Sequence, residues 1–146
     1  MTIKKRLLLF AAASLALTVN VYADARADEV VAVVSAKSAI TSLNPSQVAD
    51  IFLGKTSRFP DGSPAVPIDL NEDSPAREKF YTQFTGKSPS QMKAHWSKII
   101  FTGRGQPPMQ ASTNAEAKKT IAENPNAIGY IDVSQVDPSV KVLALR

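Results

Sequence analysis

Residues 29–35, EVVAVVS, form a nearly continuous run of β-branched and small apolar residues. A strand with one face in water alternates apolar and polar residues, whereas this run is apolar at almost every position. Such a pattern is typical of a strand covered on both faces, as in sheets flanked by helices. The run therefore predicts a buried strand in a layered α/β fold.

Three helices are predicted to start in the same way, with a capping side chain followed by proline. Proline suits the first helical position because its missing N–H has no partner there, and asparagine or serine can accept from a free amide. The three starts are Asn44-Pro45, Ser74-Pro75 and Ser88-Pro89. Gly54 and Gly103 are expected to end the first and third helices. A fourth helix is predicted within residues 112–124, capped by Thr113 or Asn114.

Further strands are predicted at residues 65–70, 126–133 and 139–145. Pro67 indicates that the first of them is an edge strand or that the proline lies at its start. The stretch 103–111, GRGQPPMQA, is expected to be an exposed loop. Because strands alternate with about four helices, the sheet is predicted to be mostly parallel or mixed.

The N-terminus predicts export. MTIKKR is a basic segment, and LLLFAAASLALTV after it is apolar but too short to span a bilayer comfortably. Residues 1–23 are predicted to be a signal peptide cleaved after Ala23, with Ala25 and Ala27 as alternative sites. Residues 24–146 would then form one periplasmic domain.

Charge and cysteine content exclude several classes of function. The formal net charge of +4 comes mostly from Lys4, Lys5 and Arg6, so the exported part is nearly neutral and has no basic field for nucleic acid. The chain has no cysteine, which excludes disulfides, thiolate metal sites, cysteine nucleophiles and a lipid-modified N-terminal cysteine.

The stretch NEDSPAREKF, residues 71–80, is the candidate binding site. Ser74 can cap the helix or donate to an anion, the amides of Ala76 and Arg77 are predicted to be free, and Arg77 suits an oxyanion. The alternative is an ordinary cap with Arg77 paired to Glu72 or Asp73. Spacing favours the alternative, because two acidic residues would repel an anion.

No other residues point to catalysis or to a metal. His95 is the only histidine, it has no second ligand beside it, and packing beside Trp96 explains it. No nucleophile with a paired base is visible, and the glycines around Arg104 are explained by a helix end. We therefore expect a non-enzymatic protein without a cofactor.

The order of these segments resembles the phosphate-type substrate-binding proteins of ABC transporters, in the type-2 periplasmic binding protein superfamily. The similarity is carried by LNPSQVADIFLGK, FPDGSPAVPIDL, SPAREKFY, HWSKIIFTGRGQPP and NPNAIGYID, and it covers residues 29–145. It implies a single α/β lobe like one domain of such a protein, with the N-terminal segment that carries other phosphate contacts absent.

The resemblance implies an oxyanion site with two departures from the family pattern. Ser74 matches the serine of a Ser-Gly-Thr loop, but proline and Ala76 replace the glycine and threonine. The arginine expected four residues before the serine is Leu70. Arg77 falls where some members place an arginine after the loop, and Ser35 is expected to face the same crevice.

Half a cleft would bind phosphate weakly, so a second copy, in a homodimer, or another protein would have to supply the missing wall. The implied partners are phosphate or a similar oxyanion and a membrane permease or sensor. The alternative function is a ligand-free interaction or envelope-structural protein that uses the 103–111 loop.

Overall fold

The computed structural model describes residues 29–146, and the predicted signal peptide, 1–23, lies outside them. The described part holds seven strands, four α-helices and one 3₁₀ helix. The strands are β1 Val30–Ser35, β2 Ser42–Leu43, β3 Val66–Leu70, β4 Met109–Ala111, β5 Ala127–Asp132, β6 Val140–Val142 and β7 Ala144–Leu145. The helices are α1 Pro45–Phe52, α2 Pro75–Thr85, α3 Pro89–Phe101 and α4 Asn114–Glu123, with the 3₁₀ helix at Val133–Gln135.

The main sheet has five strands in the order β4-β3-β5-β1-β6. β3 runs parallel to both β4 and β5, whereas β1 runs antiparallel to both β5 and β6. β2 and β7 form a separate parallel pair. The predicted mixed α/β sheet is confirmed. The reversed direction of β1 decides which residues lie together at one end of the strands.

Helices cover the two faces of the sheet, and two adjacent residues of β5 show how. Successive residues of a strand point to opposite faces. A Cβ added at Gly129 would lie 2.3 Å from the Ile121 side chain, so α4 packs tightly against that face. On the other face Tyr130 stacks on Phe80 of α2, with ring centroids 4.0 Å apart, and Phe52 of α1 packs edge-on against the same ring.

The predicted helix boundaries are confirmed because they depend on local chemistry. Asn44 caps α1 in a capping box with Gln47, and Ser88 caps α3 in the same way with Gln91. Gly54 follows α1 at φ +73°, where the Trp96 ring lies so close that a Cβ would be 2.7 Å from it. Thr113, one of the two predicted candidates, caps α4.

Strand assignments near prolines were less accurate. Pro67 is the second residue of β3, which lies inside the sheet, so the prediction of a strand start is right and that of an edge strand is wrong. β4 lies within the predicted 103–111 loop, at the edge of the sheet. Its three residues directly follow two prolines, which hid the strand signal.

The apolar side chains of α3 are only partly buried. Met92 and Trp96 are buried and Ile99 is partly buried, but Ile100 is 55% exposed. Ile100 therefore belongs to the molecular surface. Within residues 29–146, no helix has both the length and the apolar character needed to cross a bilayer.

Candidate functional site

The candidate site lies where β3 ends and α2 begins. Ser74 occupies the cap position in an extended conformation, but its side chain makes no capping hydrogen bond. Its carbonyl accepts from the amides of Arg77 at 3.1 Å and Glu78 at 3.3 Å. The Arg77 amide, predicted to be free, is therefore occupied, whereas the Ser74 hydroxyl has no capping role.

The Arg77 side chain turns inward and is only 6% exposed. Its Nε lies 3.3 Å from Oδ2 of Asp69, and its guanidinium carbon lies 4.9 Å from the centroid of the Tyr81 ring. The acidic partner is therefore the buried Asp69 of β3 rather than Glu72 or Asp73. A charged side chain inside a protein needs such a partner, because desolvating it alone is costly.

Asp69 is the centre of a buried polar network. Oδ2 also accepts from the Tyr81 hydroxyl at 2.7 Å, and Oδ1 accepts from the Leu70 amide at 2.8 Å and from the Tyr130 hydroxyl. These donors supply the hydrogen bonds that the carboxylate loses on leaving water. The network therefore holds Asp69 and, through it, Arg77 in fixed positions.

The two tyrosines respond to the same environment. Burial raises the pKa of Tyr81 and of Tyr130 far above the ordinary value, and the charge of Asp69 raises both further. Both phenols therefore stay protonated as donors to Asp69 throughout the physiological pH range.

A cavity of about 210 Å³ opens beside this pair. Its polar lining includes Arg77, Asp69, Glu72, Lys93, Ser97 and Gln110, and apolar side chains of α3 and Pro107 of the following loop form the rest. Among the described residues, Nη1 and Nη2 of Arg77 donate to no acceptor. Arg77 thus combines a fixed orientation with two unused amino groups on the wall of a small polar cavity.

Ser35 does not belong to this site. β1 is antiparallel to β5, which is parallel to β3, so Ser35 lies at the end of the sheet where β3 begins. Ser74 follows β3 at the opposite end of the strands. Its hydroxyl donates to the carbonyl of Ala122 at 3.0 Å and accepts from the amide of Lys37 at 3.1 Å. Ser35 therefore does not face the crevice, and the structure corrects that expectation.

The other candidates are structural. Nε2 of His95 lies 2.8 Å from the carbonyl of Leu53 and must donate to it, since a carbonyl only accepts. This bond ties α3 to the end of α1. Gly103 follows α3 with φ +66°, as a helix end requires. Residues 29–146 contain no group of three or more acidic or histidine side chains that could hold a metal ion.

Sequence reasoning missed Asp69, the residue that organises the site. One signal was available: a single carboxylate in the otherwise apolar strand VPIDL. A charge in a strand buried among others requires a partner, and Arg77 is the first basic residue after it. The contributions of Lys93, Ser97 and Gln110 had no comparable signal, because they depend on how α3 and β4 pack.

Three solved structures share this fold. A protein from Clostridium perfringens, described as a substrate-binding protein of a phosphate ABC transporter and determined with bound phosphate, gives a TM-score of 0.64 at 23% identity, covering 81% of this chain and 45% of its own. An ABC-type phosphate transport receptor from Vibrio cholerae gives 0.63 at 19% identity, covering 81% and 46%. PstS from Borrelia burgdorferi gives 0.60 at 16% identity, covering 82% and 47%.

The chain spans a little under half the length of each of these structures. No protein-family model matches the sequence, and a search of curated proteins also gives no match. The predicted fold, one lobe of a periplasmic binding protein with a mixed sheet and four helices, is confirmed. Because the sequence identities are below 25%, the similarity to these structures establishes only the fold.

Proposed function

We propose that this chain is an exported, non-enzymatic binding module that takes phosphate or a similar oxyanion at the start of α2. The proposal rests on the state of Arg77. Its side chain is buried, is oriented through Nε by Asp69 and lines a small polar cavity, and within residues 29–146 its Nη1 and Nη2 have no acceptor.

In this proposal Arg77 supplies the charge and a planar pair of donors, which suits the tetrahedral oxygens of phosphate. The Ser74 hydroxyl, which does not cap the helix, and the amide of Ala76 would supply further donors at the positive end of α2, although neither residue is part of the cavity lining. Because Asp69 and the Tyr81 ring already hold the guanidinium, binding would cost little side-chain entropy.

Binding by the single lobe is expected to be weak. Each charge-assisted hydrogen bond contributes about 1.5–3 kcal/mol, whereas association entropy opposes binding by at least about 4 kcal/mol. Glu72 also lines the cavity and repels an anion, although Lys93 partly offsets it. We therefore expect a Kd of about 1 mM, which corresponds to about −4 kcal/mol.

Tighter binding would need a second wall from a partner. A second copy of the chain, forming a homodimer, would provide one, and so would a membrane permease or sensor protein. The solved structures named above that are described as phosphate transport proteins are about twice as long as this chain.

The test is a phosphate titration of residues 24–146 followed by amide chemical shifts, with sulfate at equal ionic strength as the control. We expect phosphate-dependent shifts at Ala76, Ser97 and Gln110. Ser74→Ala should weaken phosphate binding about tenfold, because one hydrogen bond to the anion is lost. Ser88→Ala is the matched control, since Ser88 opens α3 with the same Ser-Pro pair but its side chain is used in the capping box of that helix.

Two results would contradict the proposal. Absence of shifts at Ala76, Ser97 and Gln110 in 10 mM phosphate would remove the anion site. Equal phosphate affinity in Ser74→Ala and the unmodified protein would remove Ser74 from it. Arg77→Ala is a poor first variant, because it would leave Asp69 buried without its counterion.

A second function, protein interaction without a ligand, is favoured by one surface feature. Phe101 is 92% exposed, and Ile100 and Met109 flank the same loop with 55% and 62% of their surface exposed. Large apolar side chains exposed together mark interaction surfaces. Deleting 105–110 would remove two residues of β4, so Phe101→Ser is the sharper variant. Unchanged partner capture in a pull-down by this variant would exclude Phe101 from such an interface.

A further inference from the structure

A second cavity, unconnected with the Asp69–Arg77 pair, lies on the other side of Trp96. It measures about 530 Å³ and runs between the loop after α1 and the loop after α3. Cavities of about 300–1,000 Å³ are typical of small-molecule sites. We call it the α1–α3 groove. Three apolar side chains, those of Ile51, Trp96 and Ile99, are part of its lining, and we call them its floor.

Positive charge surrounds this floor. Lys55, Arg58 and Arg104 line the groove, and none of the described residues that line it is acidic. Lys55 lies 3.6 Å from Asp50, so its charge is partly compensated. Arg58 donates from Nη1 to the carbonyl of Gly62 at 2.8 Å, and it forms no ion pair with any residue of the described part of the chain. Within residues 29–146, Arg104 also forms no ion pair.

Trp96 makes part of this floor rigid. Its side chain is 6% exposed and is fixed against Gly54, where a Cβ would approach the ring to 2.7 Å. Its Nε1 has no hydrogen-bond partner among the described residues, which is unusual for a buried indole. The same ring also lines the cavity beside Arg77, so it separates the two cavities.

We propose that the α1–α3 groove binds a small organic anion, with an apolar body of several carbons against Trp96 and an anionic group held by Arg58 and Arg104. An inorganic ion would leave the apolar floor uncovered, and a neutral molecule would leave two guanidinium charges without a partner. This site is independent of the proposed oxyanion site, because the two share only the Trp96 ring.

Three probes of one shape separate the contributions of charge and apolar contact: benzoate, benzyl alcohol and benzylamine. Trp96 is the only tryptophan, so its indole N–H gives a single NMR signal that can be followed with each probe. We expect benzoate to shift this signal and the amides of Thr56 and Gly105. Benzyl alcohol should bind at least about tenfold more weakly, because it lacks the charge-assisted hydrogen bonds. Benzylamine should cause no shift.

Arg58→Ala and Arg104→Ala, singly and together, locate the anionic group. Both side chains are exposed, so folding should survive, and a melting curve checks this. We expect the double variant to bind benzoate at least about tenfold more weakly. Lys119→Ala is the control, because it removes the same charge from α4, outside the groove.

Any of three results would overturn the inference. These are equal affinity for benzoate and benzyl alcohol, unchanged benzoate affinity in the double variant, and shifts at Ser97 and Gln110 in place of Thr56 and Gly105. The last result would assign the anion to the cavity beside Arg77. A failure here leaves the proposed oxyanion site standing, since that site is tested by phosphate and by Ser74→Ala.

Discussion

The helices α2 and α3 both begin with Ser-Pro, yet the two starts are built differently. At α3 the Ser88 hydroxyl accepts from the amide of Gln91 at 3.2 Å, and the Gln91 side chain accepts from the Ser88 amide at 2.9 Å. At α2 the Ser74 hydroxyl makes no such bond, and Arg77 occupies the position that corresponds to Gln91. A guanidinium has no acceptor atom, so it cannot complete a capping box.

This difference shows how one residue changes the use of a helix start. With glutamine, the first turn satisfies its own amides and the serine is part of the helix. With arginine, the side chain is drawn inward to Asp69, and the serine hydroxyl keeps its hydrogen-bonding capacity. The start of α2 is therefore anchored to the sheet by a buried ion pair, whereas at the start of α3 the hydrogen bonds of Ser88 and Gln91 stay within the helix.

Exchanging Arg77 and Gln91 tests this difference between the two helix starts. It should have the largest effect on the free energy of unfolding. Arg77→Gln allows a capping box at α2 but leaves Asp69 buried without its counterion. We expect a loss of about 3–5 kcal/mol in the free energy of unfolding, of which a new cap would return about 1 kcal/mol. Gln91→Arg, the reciprocal change, should cost only about 1 kcal/mol, the worth of the cap. Urea unfolding at pH 7 measures both.

Equal destabilisation by the two exchanges would contradict this account of α2. A further variant, Asp69→Asn combined with Arg77→Gln, removes both charges and should recover part of the stability, because the penalty comes from leaving one charge unpaired. No recovery would mean that the hydrogen bonds of Asp69 to Tyr81 and Tyr130, rather than the ion pair, stabilise this region.

The second largest expected effect is a loss of folding stability at alkaline pH, which depends on the Asp69 network that anchors the start of α2. Burial and the charge of Asp69 raise the pKa of Tyr81 and Tyr130, so the folded protein keeps both protons after the unfolded chain has lost them near pH 10. The unfolded state then binds fewer protons, and stability falls as pH rises above about 10. Each tyrosine contributes a slope of about 1.4 kcal/mol per pH unit.

Unfolding free energies measured between pH 8 and pH 11.5 test this slope. We expect little change attributable to the tyrosines below about pH 9 and a steep fall above about pH 10. Tyr130→Phe should lower stability at neutral pH, since Asp69 loses a donor, but it should roughly halve the alkaline slope. An unchanged slope in Tyr130→Phe would show that other groups control the alkaline transition.

The same contrast explains which parts of the molecule could be predicted. The starts of α1 and α3 follow from residues three or four positions apart, and their capping boxes appear where the sequence places them. The direction of β1 depends on strands about a hundred residues away, and no local pattern encodes it. Ser35 was therefore assigned to the wrong end of the strands.

The helix start that forms the candidate site was predicted correctly, but the partner of Arg77 was not. Ser74 and Arg77 were correctly placed at the start of a helix after a strand, because the Ser-Pro signal is local. The choice between an anion and Glu72 or Asp73 as the partner of Arg77 omitted Asp69, which lies eight residues earlier in the strand. Only the packing of α2 on β3 brings that carboxylate to the arginine.

The smallest expected effect concerns the two serines themselves. Ser88→Ala should lower the free energy of unfolding by about 1 kcal/mol, because the amide of Gln91 loses its acceptor. Ser74→Ala should change it by less than about 0.5 kcal/mol, since this side chain makes no capping bond and a side chain without such a role contributes little. Denaturant curves of both variants, recorded in buffer without phosphate, give the comparison.

The two curves repeated in 10 mM phosphate complete the test. Bound phosphate stabilises only the folded state, so the unmodified protein and Ser88→Ala should both gain stability, and Ser74→Ala should gain less. If Ser74→Ala costs as much as Ser88→Ala without phosphate, the two starts are equivalent in solution and Ser74 is an ordinary cap. A small cost combined with a lost phosphate response means that the serine which does not cap its helix serves the ligand.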